Sequence, residues 1–551
     1  MTKRSCLHLA AIVAALSFAP ASSTPLGGQA PSGREAAVDR VFAKWTSSTP
    51  GCAVGVAVGG KPVLARAYGM ADLERDVANT TETIFEAGSV SKQFTAAAVL
   101  LLVRDGKLSL DDAVRTYVPE LPDYGAPLTI RHMLTHTSGL RDWGSVESIA
   151  GWPRTTREYT HAHVLDIVSR QRALNFPSGT RWSYSNTGFN LAAIIVSRVS
   201  GMPFADFASQ RIFTPLGMTR TSWRDDHTRI VKGRAIAYAD EKDGLHIQMP
   251  FENVHGNGGL LTTVGDLLTW NEHFASPAPG DAAWAEAQQE IARFSDGRQL
   301  NYAFGLYVSG YKGVKNVWHS GSTAGYRAHL NRFPDAHTSV AVLCNVTSGD
   351  ATRAANEVSD VYLADRLTPP QAPSAAHALT PAEADALVGL YRNSSTGLSI
   401  TVAREPDGGL RLERGAALVA LSAMRFVTAF DQTWEFDGTG GARSTDAFGR
   451  TDSYQRVPPA SPAAAQLQEL VGAYRSDEAE TTLTAEVDAT GLVLRRRPDT
   501  TMPLTPIYAD AFRGSIGTVI FRRDAAGRVI ALSVVQDRVW DLRFTRAPSQ
   551  E

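Results

Sequence analysis

Ser89-Val90-Ser91-Lys92 places a hydroxyl and an amine three residues apart, and on a helix that spacing puts both on one face. The apolar run Ser91 to Arg104 that follows predicts a helix buried on nearly every side. The positive end of such a helix and apolar surroundings both disfavour a charged ammonium. A lysine neutralised in this way can take the serine proton, while backbone N–H groups at the helix start face a developing oxyanion. The same residues also fit a helix cap at Ser89 with Lys92 snorkelling to solvent. A second element is Tyr184-Ser185-Asn186, in a loop expected just before a helix over Leu191 to Val199 that Gly201 ends. A phenol, with a reference pKa near 10, relays a proton only when cations lie close. Asn186 can offer its amide to a peptide-like substrate. Third comes His319-Ser320-Gly321-Ser322. Strand alternation sets His319 and Gly321 on one face, where a glycine lets a substrate backbone approach. Each element, taken alone, also has a purely structural reading.

Other chemistry has weaker support. A second Ser-x-x-Lys match, Ser309 to Lys312, precedes the turn at Gly313 and reads as accidental. His132 and His136 have the spacing of a zinc helix, but Met133 stands where a base glutamate would be. His161-Ala162-His163 reads as a solvated segment, and no set of three ligands converges, so no metal or other cofactor is expected. The Gly-x-Ser-x-Gly elbow of α/β-hydrolases does not occur. Net charge is −2, so no basic excess exists to neutralise phosphates and nucleic acid is excluded as a partner.

The elements that must position these residues divide the 551-residue chain into several units. Residues 1–21 combine Lys3 and Arg4, the apolar Leu7 to Phe18 and a small-residue cleavage site at Ala19-Pro20-Ala21. This is a secretory signal, too short to span a bilayer, and it predicts a periplasmic or secreted protein. Cys6 would leave with it. Cys52 and Cys344, in short apolar strands, either pair in an oxidising compartment or stay as buried thiols. After a flexible segment at 22–35, the unit 36–367 opens on a hairpin, Cys52 to Gly59 with Pro62 to Gly69, and closes on strands at 316–319, 326–333 and 338–345. Strands at both ends with helices between predict an α+β sandwich. Linkers at 368–378 and 458–465 separate two further units, 379–457 and 466–548. These repeat each other: Leu387-Val388-Gly389-Leu390-Tyr391-Arg392 returns as Leu470-Val471-Gly472-Ala473-Tyr474-Arg475, Gly409-Leu410 as Gly491-Leu492, and Thr433 with Phe436 as Thr518 with Phe521. Short alternating strands and glycine turns make each copy a small antiparallel β-barrel.

Together the three elements resemble the active-site serine penicillin-recognising enzymes: class C β-lactamases, D,D-carboxypeptidases, esterases and D-aminopeptidases. Their marks are Ser-x-x-Lys, Tyr-x-Asn and Lys-Thr-Gly or His-x-Gly, in that order. Here Ser89/Lys92, Tyr184/Asn186 and His319/Gly321 lie about 95 and 135 residues apart. Leu134 to Leu140 (LTHTSGL) and Gly256 to Leu260 (GNGGL) are further family-like stretches. The resemblance implies a β-lactamase/penicillin-binding-protein-like α+β domain, an antiparallel sheet flanked by helices. It implies Ser89 as the acylated nucleophile and Lys92 with Tyr184 as the proton network. Ser89 and Ser322 would supply oxyanion N–H groups, and Asn186 and Gly321 would hold the substrate. That fold sets the first strand beside the last, bringing Cys52 within bridging distance of Cys344.

His319 replaces the lysine that meets a substrate carboxylate in carboxypeptidases, so carboxylate recognition there should weaken. His-x-Gly and two trailing barrels resemble D-aminopeptidases, in which a barrel loop reaches the site and restricts it to substrates with a free N-terminus; the resemblance does not assign that loop residue by residue here. The reading is an exported serine hydrolase releasing N-terminal D-amino acids from peptides or amides. Its rivals are an esterase, a weak β-lactamase or D,D-carboxypeptidase, and a non-hydrolysing β-lactam- or peptide-binding sensor. The partner is a small peptide, amide or ester; no stable membrane span is expected, and homodimerisation stays open.

Overall fold

The computed structural model describes residues 33–154, 157–278, 281–368, 377–413 and 415–548. The signal segment, Cys6, residues 22–32 of the 22–35 segment and most of the 368–378 linker lie outside the described residues. Strands β1 (Cys52–Val58) and β2 (Lys61–Tyr68) form the expected hairpin. Gly59 and Gly60 turn it with φ of 58° and 74°, the left-handed pair that a two-residue turn matched to strand twist requires. Near the other end of the unit come β3 (Tyr307–Tyr311), β4 (Val314–Thr323), β5 (Tyr326–Phe333) and β6 (Thr338–Cys344). The six make one antiparallel sheet in the order β3-β4-β5-β6-β1-β2. First and last strands are therefore neighbours, Cys52 pairs with Cys344 in register, and the two form a disulfide.

Of the helices α1 (Gly33–Val41), α2 (Ser91–Arg104), α3 (Asn186–Ser200), α4 (Val264–Ala275) and α5 (Ala351–Tyr362), α1, α4 and α5 pack against this sheet, while α2 and α3 pack against each other. Val54, Val56, Val340 and Val342 face α1 and α5, while Ala53, Ala57, Ala341 and Leu343 face the main core. Covering both faces is why β1 and β6 read as continuous apolar runs and not as alternating ones. Gly55 admits α4 closely, since a Cβ there would lie 3.0 Å from Leu268. Helix α2 is buried from Ser91 through Leu102, as its apolar character demands. The chain is helical from Gly33, inside the segment expected to be flexible, with Glu35 tied to Arg66 at 3.2 Å.

The tail is two sheets. Eight strands from Gly389 to Val457 close into a barrel; nine from Gly472 to Arg546 form a nearly closed one, its edge strands Thr500–Pro503 and Thr505–Tyr508 adjoining in sequence. The repeat is visible in side-chain detail. Tyr391 donates to Leu387 O at 2.9 Å and Tyr474 to Leu470 O at 2.7 Å. Tyr391 and Phe436 meet edge-on at 5.7 Å, as do Tyr474 and Phe521.

Candidate active site

Ser89 sits in a single 3-10 turn, Gly88–Val90, that feeds directly into α2. Gly88 holds φ of 51°, and a Cβ on it would lie 2.6 Å from Ser322 N. Strand β4 presses from the other side: a Cβ at Gly321 would stand 2.0 Å from Ala87 O and 3.0 Å from Ser89 N. Two glycines thus bring the backbone amides of Ser89 and Ser322 together at the start of a helix, where N–H groups lack intrahelical partners.

One turn along, Lys92 is fully buried. Its Nζ lies 3.1 Å from Ser89 Oγ, 2.8 Å from Asn186 Oδ1 and 2.7 Å from Asn257 O. Burial pushes its pKa well below the usual lysine range, and the Arg538 charge adds to the shift. Asn257 O and Asn186 Oδ1 can only accept, so a neutral amine spends its two protons on them and turns its lone pair to the Ser89 hydroxyl.

Helix α3 begins at Asn186, five residues before the start that the apolar pattern suggests, so Asn186 is a helical residue and not a loop one. Its polar first turn is held by distant partners: Asp142 Oδ2 accepts from Asn186 N at 2.8 Å, and Thr187 Oγ1 donates to Arg141 O at 2.7 Å. The tyrosine two residues earlier has its ring 4.8 Å from Lys92 Nζ and 4.6 Å from the Arg538 guanidinium. Burial raises the Tyr184 pKa, and Ser89 and Arg538 only partly offset it, so the phenol stays protonated at neutral pH.

His319 is engaged through both ring nitrogens. Ser185 N–H donates to His136 Nδ1 at 3.2 Å, and His136 Nε2 lies 3.1 Å from Tyr302 Oη. Tyr302 Oη lies 3.3 Å from His319 Nε2, and His319 Nδ1 lies 2.6 Å from Ser320 O. One assignment satisfies the whole chain: His136 Nε2–H donates to Tyr302, the Tyr302 hydroxyl donates to His319 Nε2, and His319 Nδ1–H donates to the carbonyl. Burial lowers the His319 pKa to about 3. The imidazole is neutral and its tautomer is fixed by Tyr302 and the Ser320 carbonyl.

Ser89, Tyr184, Asn186, His319, Gly321 and Ser322 all line one pocket of about 700 Å³, with Lys92 beneath it. Three contributors had no assigned role in the sequence reading. His136 and Asn257 lay inside family-like stretches, and their partners are distant in sequence. Arg538 had no local signal at all, since it caps the hairpin Val529–Gln536/Val539–Arg546 of the second barrel. That hairpin docks through its backbone: Arg538 O accepts from Asn175 Nδ2 at 3.1 Å and from Asp142 N at 3.3 Å, and Asp537 O from Ser183 Oγ at 3.2 Å. Arg141, whose Nη1 lies 3.0 Å from both carboxylate oxygens of Glu478, anchors the same barrel. The first barrel approaches too, with Phe448 against the pocket residue Tyr307 at 5.1 Å. The remaining candidates lie elsewhere. Lys312 of the second Ser-x-x-Lys pairs with Asp360 at 2.7 Å. His132 Nδ1 accepts from Thr129 N at 3.2 Å. His161 is packed and not solvated: its Nε2 lies 3.0 Å from His255 O and the two rings stand 4.2 Å apart.

An antiparallel sheet flanked by helices, with a serine beside a buried lysine at a helix start, defines a serine hydrolase working through an acyl-enzyme. The family described as Beta-lactamase matches residues 37–365, and the chain belongs to it. Among its relatives, a D-aminopeptidase of Brucella ovis is 26% identical over 507 residues, covering 88% of this chain and 93% of its own. Penicillin-binding protein 4* of Bacillus subtilis is 30% identical over 310 residues, covering 52% and 66%. The octameric penicillin-binding protein homologue from Pyrococcus abyssi shares the fold, with a TM-score of 0.53 and 24% identity over 77% of this chain and 99% of its own.

Proposed function

We propose that this chain is an exported, D-stereospecific aminopeptidase that acylates Ser89 and releases N-terminal D-amino acids from small peptides or amides. The observation that carries the reading is that similarity to a named D-aminopeptidase runs through the barrels, over 88% of the chain, while a barrel hairpin lines the pocket. Neutral Lys92 takes the Ser89 proton as the hydroxyl attacks the carbonyl carbon. The Ser89 and Ser322 amides receive the oxyanion. The proton then passes to the leaving nitrogen through Lys92 and the protonated Tyr184, and water releases the acyl group. Asn186 lines the pocket with an Nδ2 that has no partner among the described residues, so it can meet the substrate carbonyl. His319 acts as a positioning residue, because both its nitrogens are used within the protein. Export follows from the signal-like residues 1–21 and accords with the Cys52–Cys344 disulfide, a bond suited to the periplasm or the exterior. Assembly into a homo-oligomer accords with the octameric homologue.

The test is nitroaniline release from D- and L-alanine p-nitroanilides by the mature protein and Ser89→Ala. D-selective release that the substitution abolishes is expected. Absence of release from both isomers refutes the aminopeptidase reading and turns attention to esters.

A further inference from the structure

The charge at the pocket mouth names a substrate feature, and the argument rests on the acyl-enzyme reading above. Arg538 is exposed, lines the pocket and sits over the Tyr184 ring. Its backbone carbonyl is clamped by Asn175 and Asp142. Its guanidinium has no carboxylate partner among the described residues. The other pocket arginines differ: Arg154 is paired to Glu252, and Arg327 donates to the carbonyls of Ala324 and Tyr326. Asp350, the acidic side chain lining the pocket, caps its own helix at Arg353 N. An arginine held without a counter-ion raises the local positive potential, which favours an anionic group on the ligand.

Tyr184 fixes where that group lies. In amide cleavage the leaving nitrogen takes its proton from the Lys92–Tyr184 side, so the leaving portion runs past Tyr184 and under Arg538. In a dipeptide the terminal carboxylate carbon is two bonds beyond that nitrogen, about 2.5 Å away. A guanidinium binds a carboxylate in bidentate fashion. His319 is neutral and turned to Tyr302 and Ser320, so it cannot serve.

We propose that Arg538, contributed by the second barrel, is a specificity-determining residue that binds the free carboxylate of the leaving amino acid and directs the enzyme to dipeptides with a D-residue first.

Two substrates differing only in that charge test the assignment: D-alanyl-glycine and D-alanyl-glycinamide. The full chain should favour the free acid in kcat/KM by about 10- to 100-fold. Arg538→Met should collapse this ratio to about twofold or less, and Arg538→Lys, which keeps the charge but not the two-pronged fork, should retain only part of it. Loss of the Tyr184 stacking alone would slow both substrates alike and leave the ratio intact. A wild-type ratio near one, or a ratio that survives Arg538→Met, overturns the proposal while Ser89-dependent D-release still stands. Absence of turnover for both refutes the aminopeptidase reading instead. The carboxylate site is then judged by calorimetric binding of the two compounds to Ser89→Ala, where equal affinities or absent binding overturn it.

Discussion

Replacing Gly321 with alanine probes the contact that brings together the Ser89 and Ser322 amides, the proposed oxyanion donors. The new Cβ would sit 2.0 Å from Ala87 O, whereas carbon and carbonyl oxygen come no closer than about 3.3 Å. Relief requires β4 and the Gly88–Val90 turn to part by about 1.3 Å, the difference between those values. Ala87 O is backbone at the start of a buried helix, so no rotamer change absorbs the strain. A displacement of about 1 Å costs roughly 10²-fold in rate, and losing one oxyanion donor costs about 10²–10³-fold. We therefore expect Gly321→Ala to lower kcat by at least about 10²-fold, with a stability loss of about 1–3 kcal/mol from overpacking. The assay is kcat on D-alanine p-nitroanilide together with the rate at which Ser89 is acylated. Gly310→Ala, in β3 of the same sheet, is the control, because a Cβ there meets nothing within 4 Å; it should change stability by no more than about 0.5 kcal/mol. A Gly321→Ala protein that keeps kcat within about threefold of wild type would refute the placement of the oxyanion amides.

Acid should weaken the fold. Burial holds His319 near a pKa of about 3 and His329 near about 4, below their unfolded value of about 6.5. The unfolded chain therefore binds protons first, and stability falls as pH drops below 6.5. At pH 5 each contributes a loss of about 2 kcal/mol, readable by urea titration at pH 7 and pH 5. Removing a cation near Lys92 should raise its pKa, so Arg538→Met should move the acid limb of kcat to higher pH; an unmoved limb refutes Arg538 as a source of the lysine's shift. Glu478→Gln leaves Arg141 buried without its counter-ion, which should cost about 3 kcal/mol and raise KM as the Arg538 hairpin loosens, checked by thermal melts and initial rates.

What could be read from the chain followed the range over which each signal acts. The extent of α2, the Gly59-Gly60 turn and the strands at both ends of the sheet follow local rules of apolar periodicity and turn chemistry. The barrel repeat was legible because the same side chains recur at nearly the same offset, and the Tyr391–Phe436 and Tyr474–Phe521 contacts show why they recur. The start of α3 was missed because Asn186 and Thr187 are polar. Their stabilising partners, Asp142 and Arg141, lie 44 and 46 residues away.

The three sequence elements supplied the hydroxyl, the amine, the phenol and the close-approach glycine by residue type alone. Their protonation states came from tertiary packing. Burial beside Arg538 drives Lys92 towards its neutral form, and His319 is neutral and oriented because it is buried against Tyr302, which bonds His136 in turn. The cation over Tyr184 belongs to a hairpin 354 residues further along the chain, by subtraction of their positions. Desolvation and charge proximity depend on three-dimensional distance, which spacing along a sequence does not encode; the chain carried the reacting groups, and the assembled domains decided their charge and what the pocket faces.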